Sequence, residues 1–536
     1  MDADVLICGL GPVGQLLALL LGDLGVTTIA FDETAEPYEL PRAAVIDDEV
    51  LRIFQSAGLD GAVLEAAQVQ PAVSFVTAAG RALQVLRTES GDLGQPPLVS
   101  IHQPSMERAL VAALADRPAV DARWGLRLDT LDRDAEGVTV WARPTAGGRT
   151  ERLRARYLVG CDGGRSAVRG RLRIPFGGST FAQRWVVIDA LLDRPLARAP
   201  HPHFHGDTRR PTVCLPMSPG RHRWEFMLHP GEDAAPFLKP ARLARLTAPW
   251  IGDEQVEIER AVIYTFHART AARWRAGRVL LAGDAAHVMP PFVGQGFSSG
   301  ARDAANLAWK LDAVLRGAPA RLLDTYEQER RPHVTSMQNL AVRWGGIVQT
   351  ADPRTGRARD RTLEVLHRAG VAAWLEDRAK PLPTYGAGAF ARRPSRLPWR
   401  RTTGSLFPQP VIDGVRLDDL LPRGWAGVAT ADDAATALRA AGIATRTLSD
   451  VDWLKRRGLS WALLRPDRFV FACGAEPQDT ARAVAALRRT FGTGVRSGPE
   501  PARAATAASP ASRPAPPHER LTRDGHPHRP RDVPRP

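Results

Sequence analysis

The segment that most restricts the fold stands at the start of the chain. Val5-Leu6-Ile7-Cys8 reads as a buried strand, Gly9-Leu10-Gly11-Pro12-Val13-Gly14 as a glycine turn, and the residues to Leu24 as a helix. A second strand, Thr27 to Phe31, then ends in Asp32, 18 residues past the last glycine. Strand, GxGxxG turn, helix and strand closing on an acid form the context in which this fingerprint binds a dinucleotide. Gly9 makes the tight turn, Gly11 lets backbone N–H groups approach a pyrophosphate, and Gly14 allows close helix–strand packing. Pro12 and Val13 complete the turn, the helix N-terminus supplies positive potential, and Asp32 can accept from ribose hydroxyls. A glycine turn with no ligand is the alternative, and NAD and FAD share the motif.

Short β-branched runs alternate with amphipathic helices up to about Ala391, the pattern of a parallel-sheet α/β fold. The stretch from Phe181 to Phe266 breaks the rhythm with successive strand-like segments at Trp185-Ala190, Thr212-Leu215, Arg223-Leu228 and Val256-Phe266. This predicts a sheet-based substrate domain inserted in the nucleotide-binding one. Around Ala391 to Pro410, Arg, Pro, Thr and Gly replace the periodic pattern and mark a linker or long loop. Roughly Val411 to Thr493 reads as a small α/β unit, with strands at Trp425-Val428, Trp461-Leu464 and Arg468-Phe471 and a helix over Gln478-Arg489. From Ser497 to Pro536, ten prolines and seven arginines stand against four acids, which predicts a disordered tail.

With 72 Lys and Arg against 58 Asp and Glu, the formal charge of +14 is that of a nucleic-acid binder. Yet only Lys239, Lys310, Lys380 and Lys455 are lysines, and the arginines are spread along the whole sequence. That distribution fits a coding bias better than a basic patch, so no nucleic-acid partner is expected. The longest apolar run near the start, Leu16 to Leu21, falls far short of the roughly 18 residues of a membrane span. The opening Met1-Asp2-Ala3-Asp4 lacks a signal peptide's basic flank, so a cytoplasmic protein is expected. Cys8, Cys161, Cys214 and Cys473 have no short pairing and suggest neither a disulfide framework nor a metal site.

Two later segments decide between the dinucleotides. Tyr157 to Arg169 is a strand ending in Cys161-Asp162-Gly163-Gly164, and Gly277 to His287 a strand running into Gly283-Asp284. Pro290-Pro291-Phe292-Val293-Gly294-Gln295-Gly296 follows, then a helix from about Phe297 to Leu315. Together with the N-terminal turn these resemble the class A, single-component flavoprotein aromatic hydroxylases, which pair GxGxxG with a DG and a GD motif. Pro41-Arg42-Ala43, Ile46-Asp47-Asp48-Glu49, Arg223-Trp224-Glu225-Phe226-Met227 and Arg302-Asp303-Ala304-Ala305-Asn306 are similar to the branch acting on 3-(3-hydroxyphenyl)propionate and 3-hydroxycinnamate. So are Glu329-Arg330-Arg331, Lys380-Pro381-Leu382-Pro383 and Arg465-Pro466-Asp467-Arg468-Phe469-Val470. The likeness covers about Val5 to Thr493.

The resemblance implies a Rossmann-like FAD-binding domain with an inserted sheet-based substrate domain and a C-terminal thioredoxin-like domain. Its divisions would be 1–180 (with a substrate-domain segment at about 70–100), 181–270, 271–390, 391–495 and a tail over 496–536. It implies FAD as cofactor, NADH or NADPH as co-substrate docking without a Rossmann domain of its own, and O2 as oxidant. Asp284, after Gly283, would meet the ribityl hydroxyls. Gly294, Gln295, Gly296 and Phe297 would bring backbone N–H groups and a helix N-terminus to the flavin. Arg42 and Gln103 fall where the family contacts the cofactor, and Asp162 belongs to a turn serving both FAD and the nicotinamide donor. His287 suits a structural hydrogen bond better than acid–base work.

The protein part of the chemistry is then to keep water away and hold a phenol ring, for which Trp224, Phe226, Pro291 and Phe292 are candidate pocket walls. A substrate carboxylate wants a charge-assisted donor, and His201-Pro202-His203-Phe204-His205 with Arg209-Arg210 offers several, Arg210 among them. No residue stands out as the catalytic base. The lone Cys473 rules out Cys-x-x-Cys chemistry in the C-terminal unit, which leaves packing or an oligomer contact, such as a homodimer, as its role. The expected activity is hydroxylation of 3-(3-hydroxyphenyl)propionate and 3-hydroxycinnamate ortho to the phenol OH. The alternative is a hydroxylase of a polycyclic aromatic polyketide or antibiotic, to which the His-rich segment points. A flavin halogenase would need a Trp-x-Trp-x-Ile-Pro segment, which is absent.

Overall fold

The computed structural model describes residues 1–88, 91–252, 256–369, 384–392, 394–395, 402–448 and 451–492. The expected tail and the Lys380 to Pro383 segment lie outside them. The opening unit folds as its pattern predicts. Strand Ala3–Cys8, helix Pro12–Asp23 and strand Thr28–Phe31 form a βαβ unit whose strands pair in parallel. The sheet runs Arg275–Ala276, Val279–Leu281, Glu151–Gly160, Ala3–Cys8, Thr28–Phe31, Val120–Arg123. Its parallel members are buried on both faces, which is why Leu6, Ile7, Leu158, Val159 and Leu280 read as continuous apolar runs. Pro12–Asp23 packs against the long helix Gly296–Leu315, so residues remote in sequence meet over the carboxyl ends of the strands.

The second sheet has eight strands: His287–Val288, Val256–Ala271, Phe176–Leu192, Arg221–Met227, Thr212–Pro216, His203–His205, Ala72–Val76 and Ala82–Arg87. The hairpin 72–87 thus leaves the first unit to extend the second. One face of this sheet is covered by helix Pro240–Ile251, which buries Trp224, Phe226, Leu228 and Leu243. The other face is turned to the loops that carry Arg42 and Phe292.

The C-terminal unit is a four-stranded sheet in the order Thr445–Thr447, Ala426–Ala429, Trp461–Leu464, Val470–Gly474, with helices Asp432–Ala440 and Asp479–Phe491. The strand Thr445–Thr447 and the helix Asp432–Ala440 are additions to the expected elements. The described part of the expected linker is no free tether: Gln409 is buried and donates to the carbonyl of Leu93 at 2.6 Å and to Gln55 Oε1 at 3.0 Å. Among the described residues no helix is long and apolar enough to cross a membrane.

The C-terminal unit is joined to the first by buried charge. Glu329, on helix Asp324–Val348, accepts from Arg465 Nη1 and Nη2 at 2.9 and 2.8 Å and from Lys310 Nζ at 2.8 Å, all three side chains being fully enclosed. Burial opposes the charge on Glu329, but Arg465 and Lys310 outweigh it and hold the pKa down to about 2. Removing one partner strands the others without a counter-charge, at a cost of about 3–5 kcal/mol. Arg465→Met is expected to lose stability of that order in urea unfolding, whereas a loss below about 1 kcal/mol would show that the network holds nothing together.

Candidate active site

A single cleft of about 2480 Å³ lies between the glycine turn and the free face of the second sheet. A pocket for one small ligand measures about 300–1,000 Å³, so this one has room for a dinucleotide and a second molecule. At its floor the glycine turn is tight: a Cβ on Gly14 would fall 1.9 Å from the carbonyl oxygen of Gly9. Gly11 and Gly296 instead have open space where a side chain would stand, and both line the cleft. Pro12 and Val13 line it too, and Val13 wedges against Gly283 and Gly300. Asp32 accepts from the Leu10 N–H at 2.7 Å and from the Thr34 N–H and hydroxyl at 2.9 and 2.8 Å. The acid therefore closes the glycine loop, and Oδ2, which takes only the Leu10 N–H, keeps a lone pair for a hydroxyl in the cleft.

Across the cleft, Asp284 follows Gly283 at the end of strand Val279–Leu281. It is exposed only to the cleft, being otherwise surrounded by protein, and that enclosure raises its pKa against the pull of His287 and Arg42. Among the described residues none donates a hydrogen bond to its carboxylate. An acid that faces a large cavity without a protein partner fits a ligand rich in hydroxyls, as the ribityl chain of FAD is. Gly294 adopts a left-handed conformation (φ 62°) that packs it on Val45, and the following helix Gly296–Leu315 has no side-chain cap. Its N–H groups and dipole are thus free for an anionic group. Phe297 packs on Phe54 at 6.3 Å. The Gln295 amide is engaged by Asp47 (3.0 Å) and Arg302 (2.9 Å), which leaves its backbone for the cleft.

Two expected contacts turn out to brace the site. Gln103 Oε1 accepts from the N–H groups of Arg42 (3.0 Å) and Ala43 (2.5 Å), while its Nε2 donates to Glu107. Asp162 accepts from the Ser166 hydroxyl at 2.6 Å and the Val168 N–H at 3.0 Å, and so ties down the short helix Ala167–Arg171. His287 Nε2 donates at 2.6 Å to Asp303, which also accepts the Gly283 N–H at 3.1 Å and, on its other oxygen, Arg330 at 2.9 Å. His287 is therefore structural.

Strand periodicity corrects the expected pocket walls. Trp224 and Phe226 are buried, but on the face that packs against helix Pro240–Ile251, away from the cleft. Their neighbours Arg223 and Glu225 point into the cleft instead, because successive side chains alternate. Arg210 is held by Glu232 through two hydrogen bonds of 2.6 and 2.7 Å and does not line the cleft. His203 and His205 sit on the far face, with burial lowering both pKa values to about 4, while Phe204 between them faces the cleft. Pro291 and Phe292 do line it, and Phe292 packs edge-on against Trp185 at 5.7 Å and Phe266 at 5.4 Å.

The residues sequence reading missed are Arg223 and Glu225. Arg223 donates to Asp189 at 2.6 Å and to the carbonyls of Arg42 and Pro41 at 2.9 Å each, clamping the Arg42 loop onto the second sheet. The signal was present: a charged residue between two aromatics on a strand whose aromatic face is buried must point at something polar or at a cavity.

The chain belongs to the FAD-binding-domain family, whose model matches residues 2–341, and is an FAD-dependent aromatic monooxygenase. It is 37% identical over 475 residues to a 3-(3-hydroxy-phenyl)propionate/3-hydroxycinnamic acid hydroxylase of Mycolicibacterium smegmatis, spanning 84% of this chain and 83% of that one. A hydroxylase of the same description from Escherichia coli is 37% identical over 415 residues, or 77% of this chain and 74% of the other. Among solved structures, the anhydrotetracycline hydroxylase OxyS of Streptomyces rimosus superposes with a TM-score of 0.73 at 27% identity, covering 92% of this chain and 99% of that one.

Losing the Asp284 carboxylate removes charge-assisted hydrogen bonds of about 1.5–3 kcal/mol each. Asp284→Ala should therefore bind FAD at least about tenfold more weakly, read by flavin fluorescence on titration into the apoprotein. Unchanged affinity would place the ribityl chain elsewhere.

Proposed function

We propose that the protein hydroxylates 3-(3-hydroxyphenyl)propionate, and 3-hydroxycinnamate, at the ring carbon next to the phenol OH, consuming NADH or NADPH and O2. The observation that carries the proposal is the single cleft, in which a dinucleotide cradle and an apolar sheet floor face each other. The relatives named above add the substrate class. FAD is held by the turn from Gly9 to Gly14, by Asp32, the Arg42 loop, the Asp162 turn, Asp284 and the backbone of 294–297. When bound and reduced it supplies the activated oxygen.

The chain's own part is position and exclusion. The uncapped helix N-terminus at Gly296 favours negative charge at its end by about 0.3–1 kcal/mol. Phe75, Phe204, Val213 and Phe292 form the apolar surface against which an aromatic ring packs and from which water is displaced. Arg223 keeps the Arg42 loop in register with that surface.

The test is an assay of NADH and NADPH oxidation with a panel of phenolic acids and polycyclic phenols, with products identified by mass. 3-(3-Hydroxyphenyl)propionate is expected to stimulate oxidation and to gain one oxygen atom. Should it remain inert while a polycyclic phenol is oxygenated, the substrate belongs to the second class.

A further inference from the structure

The floor of the cleft has a readable register. Across five neighbouring strands Gln84 pairs with Phe75, Phe75 with Phe204, Phe204 with Val213 and Val213 with Glu225, and Val187 follows on the sixth. All six line the cleft. At about 4.8 Å per strand the row carries roughly 19 Å of floor from Gln84 to Glu225, apolar between its two polar ends.

Glu225 is the anomaly in that row. It is only 7% exposed, with Val213 and Val187 as its cross-strand neighbours. Among the described residues it accepts no hydrogen bond and forms no ion pair. Arg223, two positions along the same face, turns its Nε and both terminal nitrogens to Asp189 and to the carbonyls of Arg42 and Pro41, and makes no hydrogen bond to Glu225. A buried carboxyl without a partner costs several kcal/mol and persists where a ligand completes it.

Its position says which part of the ligand. On one side of Glu225 Arg223 grips the loop that bears Arg42. On the other Met227 belongs to the apolar cluster of Trp185, Phe266 and Phe292. Glu225 thus stands on the strand between the residue that grips the Arg42 loop and the one that packs with Phe292, Arg223 and Met227 each being about 7 Å away. The ligand group that completes a carboxylate is a donor, and the ring hydroxyl is the one donor of a phenolic acid whose own acid group is ionised.

We propose that Glu225 accepts the hydrogen bond of the substrate's ring hydroxyl and takes its proton as the ring is oxygenated; this rests on the phenol reading above. The O–H bond breaks, the proton passes to the Glu225 carboxylate, and the electron pair stays on the phenolate oxygen. From there it raises the electron density of the adjacent ring carbon, where an electrophilic oxygen adds. No oxidant is needed for the transfer itself. The charged and titratable groups around Glu225 are Arg223 on its own strand, Asp189 on one neighbouring strand and Cys214 on the other. Burial raises the pKa of Glu225 to about 7, Arg223 opposing and Asp189 assisting. The acceptor form is therefore populated above that pH and lost below it.

The experiment compares wild type, Glu225→Gln and Glu225→Asp, each with its FAD content measured first. Binding of 3-(3-hydroxyphenyl)propionate and of 3-phenylpropionate, which lacks the hydroxyl, is followed by perturbation of the flavin spectrum. Wild type should favour the hydroxylated ligand by about tenfold or more, and E225Q should lose most of that preference while binding 3-phenylpropionate as before. Its kcat should fall by about 10²–10⁴, and the acid limb of the wild-type profile near pH 7 should vanish. Glu225→Asp, which keeps the charge, should recover part of the preference and is the variant to read if E225Q retains no FAD. In E225Q a full preference, or a kcat within about threefold of wild type, would overturn the proposal, as would a Glu225→Asp variant that retains FAD yet shows no preference for the hydroxylated ligand. If wild type binds neither ligand but oxygenates another phenol, the substrate reading alone fails, and the same comparison is made with that phenol and its deoxy analogue.

Discussion

The clamp of Arg223 on Asp189 and on the carbonyls of Pro41 and Arg42 is the contact on which the rest of the site depends. The cleft is made from two sheets that share no strand, and oxygen transfer requires them to stay in register to a fraction of an ångström. A guanidinium suits this task because its planar fork can hold a carboxylate and two carbonyls at once, and it remains charged when buried. The pattern recurs around the cradle. Arg302 reaches Glu49 at 2.6 Å, Asp47 at 2.5 Å and Gln295 at 2.9 Å, which fastens the loop before helix Gly296–Leu315 to the segment after Arg42. Arg330 reaches Asp303 beneath Gly283, and Arg465 reaches Glu329 beneath the C-terminal unit. Replacing such ion pairs by apolar residues often leaves stability unchanged or improved, so their worth here is placement. The arginine-rich composition, which first suggests a polyanion partner, serves in part as internal bracing.

Two kinds of surface then face each other across one cavity. The cradle side offers what a dinucleotide needs: bare backbone at Gly11 and Gly296, a helix N-terminus, and the acid Asp284, which has no partner among the described residues. The floor offers aliphatic and aromatic side chains with a single buried carboxyl among them. In a site of low polarity each of these charges acts more strongly than it would in water, which is the condition under which one carboxylate can steer one proton.

Much of this was legible in the sequence because it rests on local rules. The glycine turn with its strand and helix, the strands ending in Asp162 and Asp284, and the helix after Gly296 follow from short-range pattern and fold as read. What escaped depends on which face of a strand meets which neighbour. Trp224 and Phe226 suit cavity walls by size and polarity, yet period-2 alternation places them under helix Pro240–Ile251 and hands the cavity to Arg223 and Glu225. Arg210 was a plausible carboxylate partner until the structure set Glu232, 22 residues on, against it. Asp162 and Gln103 line the cleft, but their side chains brace backbone. The strand Thr445–Thr447 is three residues long with one of them exposed, too short to leave an alternation.

The central claim is that the two surfaces act on one reaction, passing one atom of dioxygen to a phenol ring held in the cleft. It is tested most directly by turnover under isotopically heavy dioxygen, with the position of the label in the product found by fragmentation. The account predicts one labelled oxygen on the ring carbon beside the original hydroxyl, with one nicotinamide oxidised per product. A product whose new oxygen comes from water, or nicotinamide oxidation that yields only hydrogen peroxide with the phenol unchanged, would contradict it.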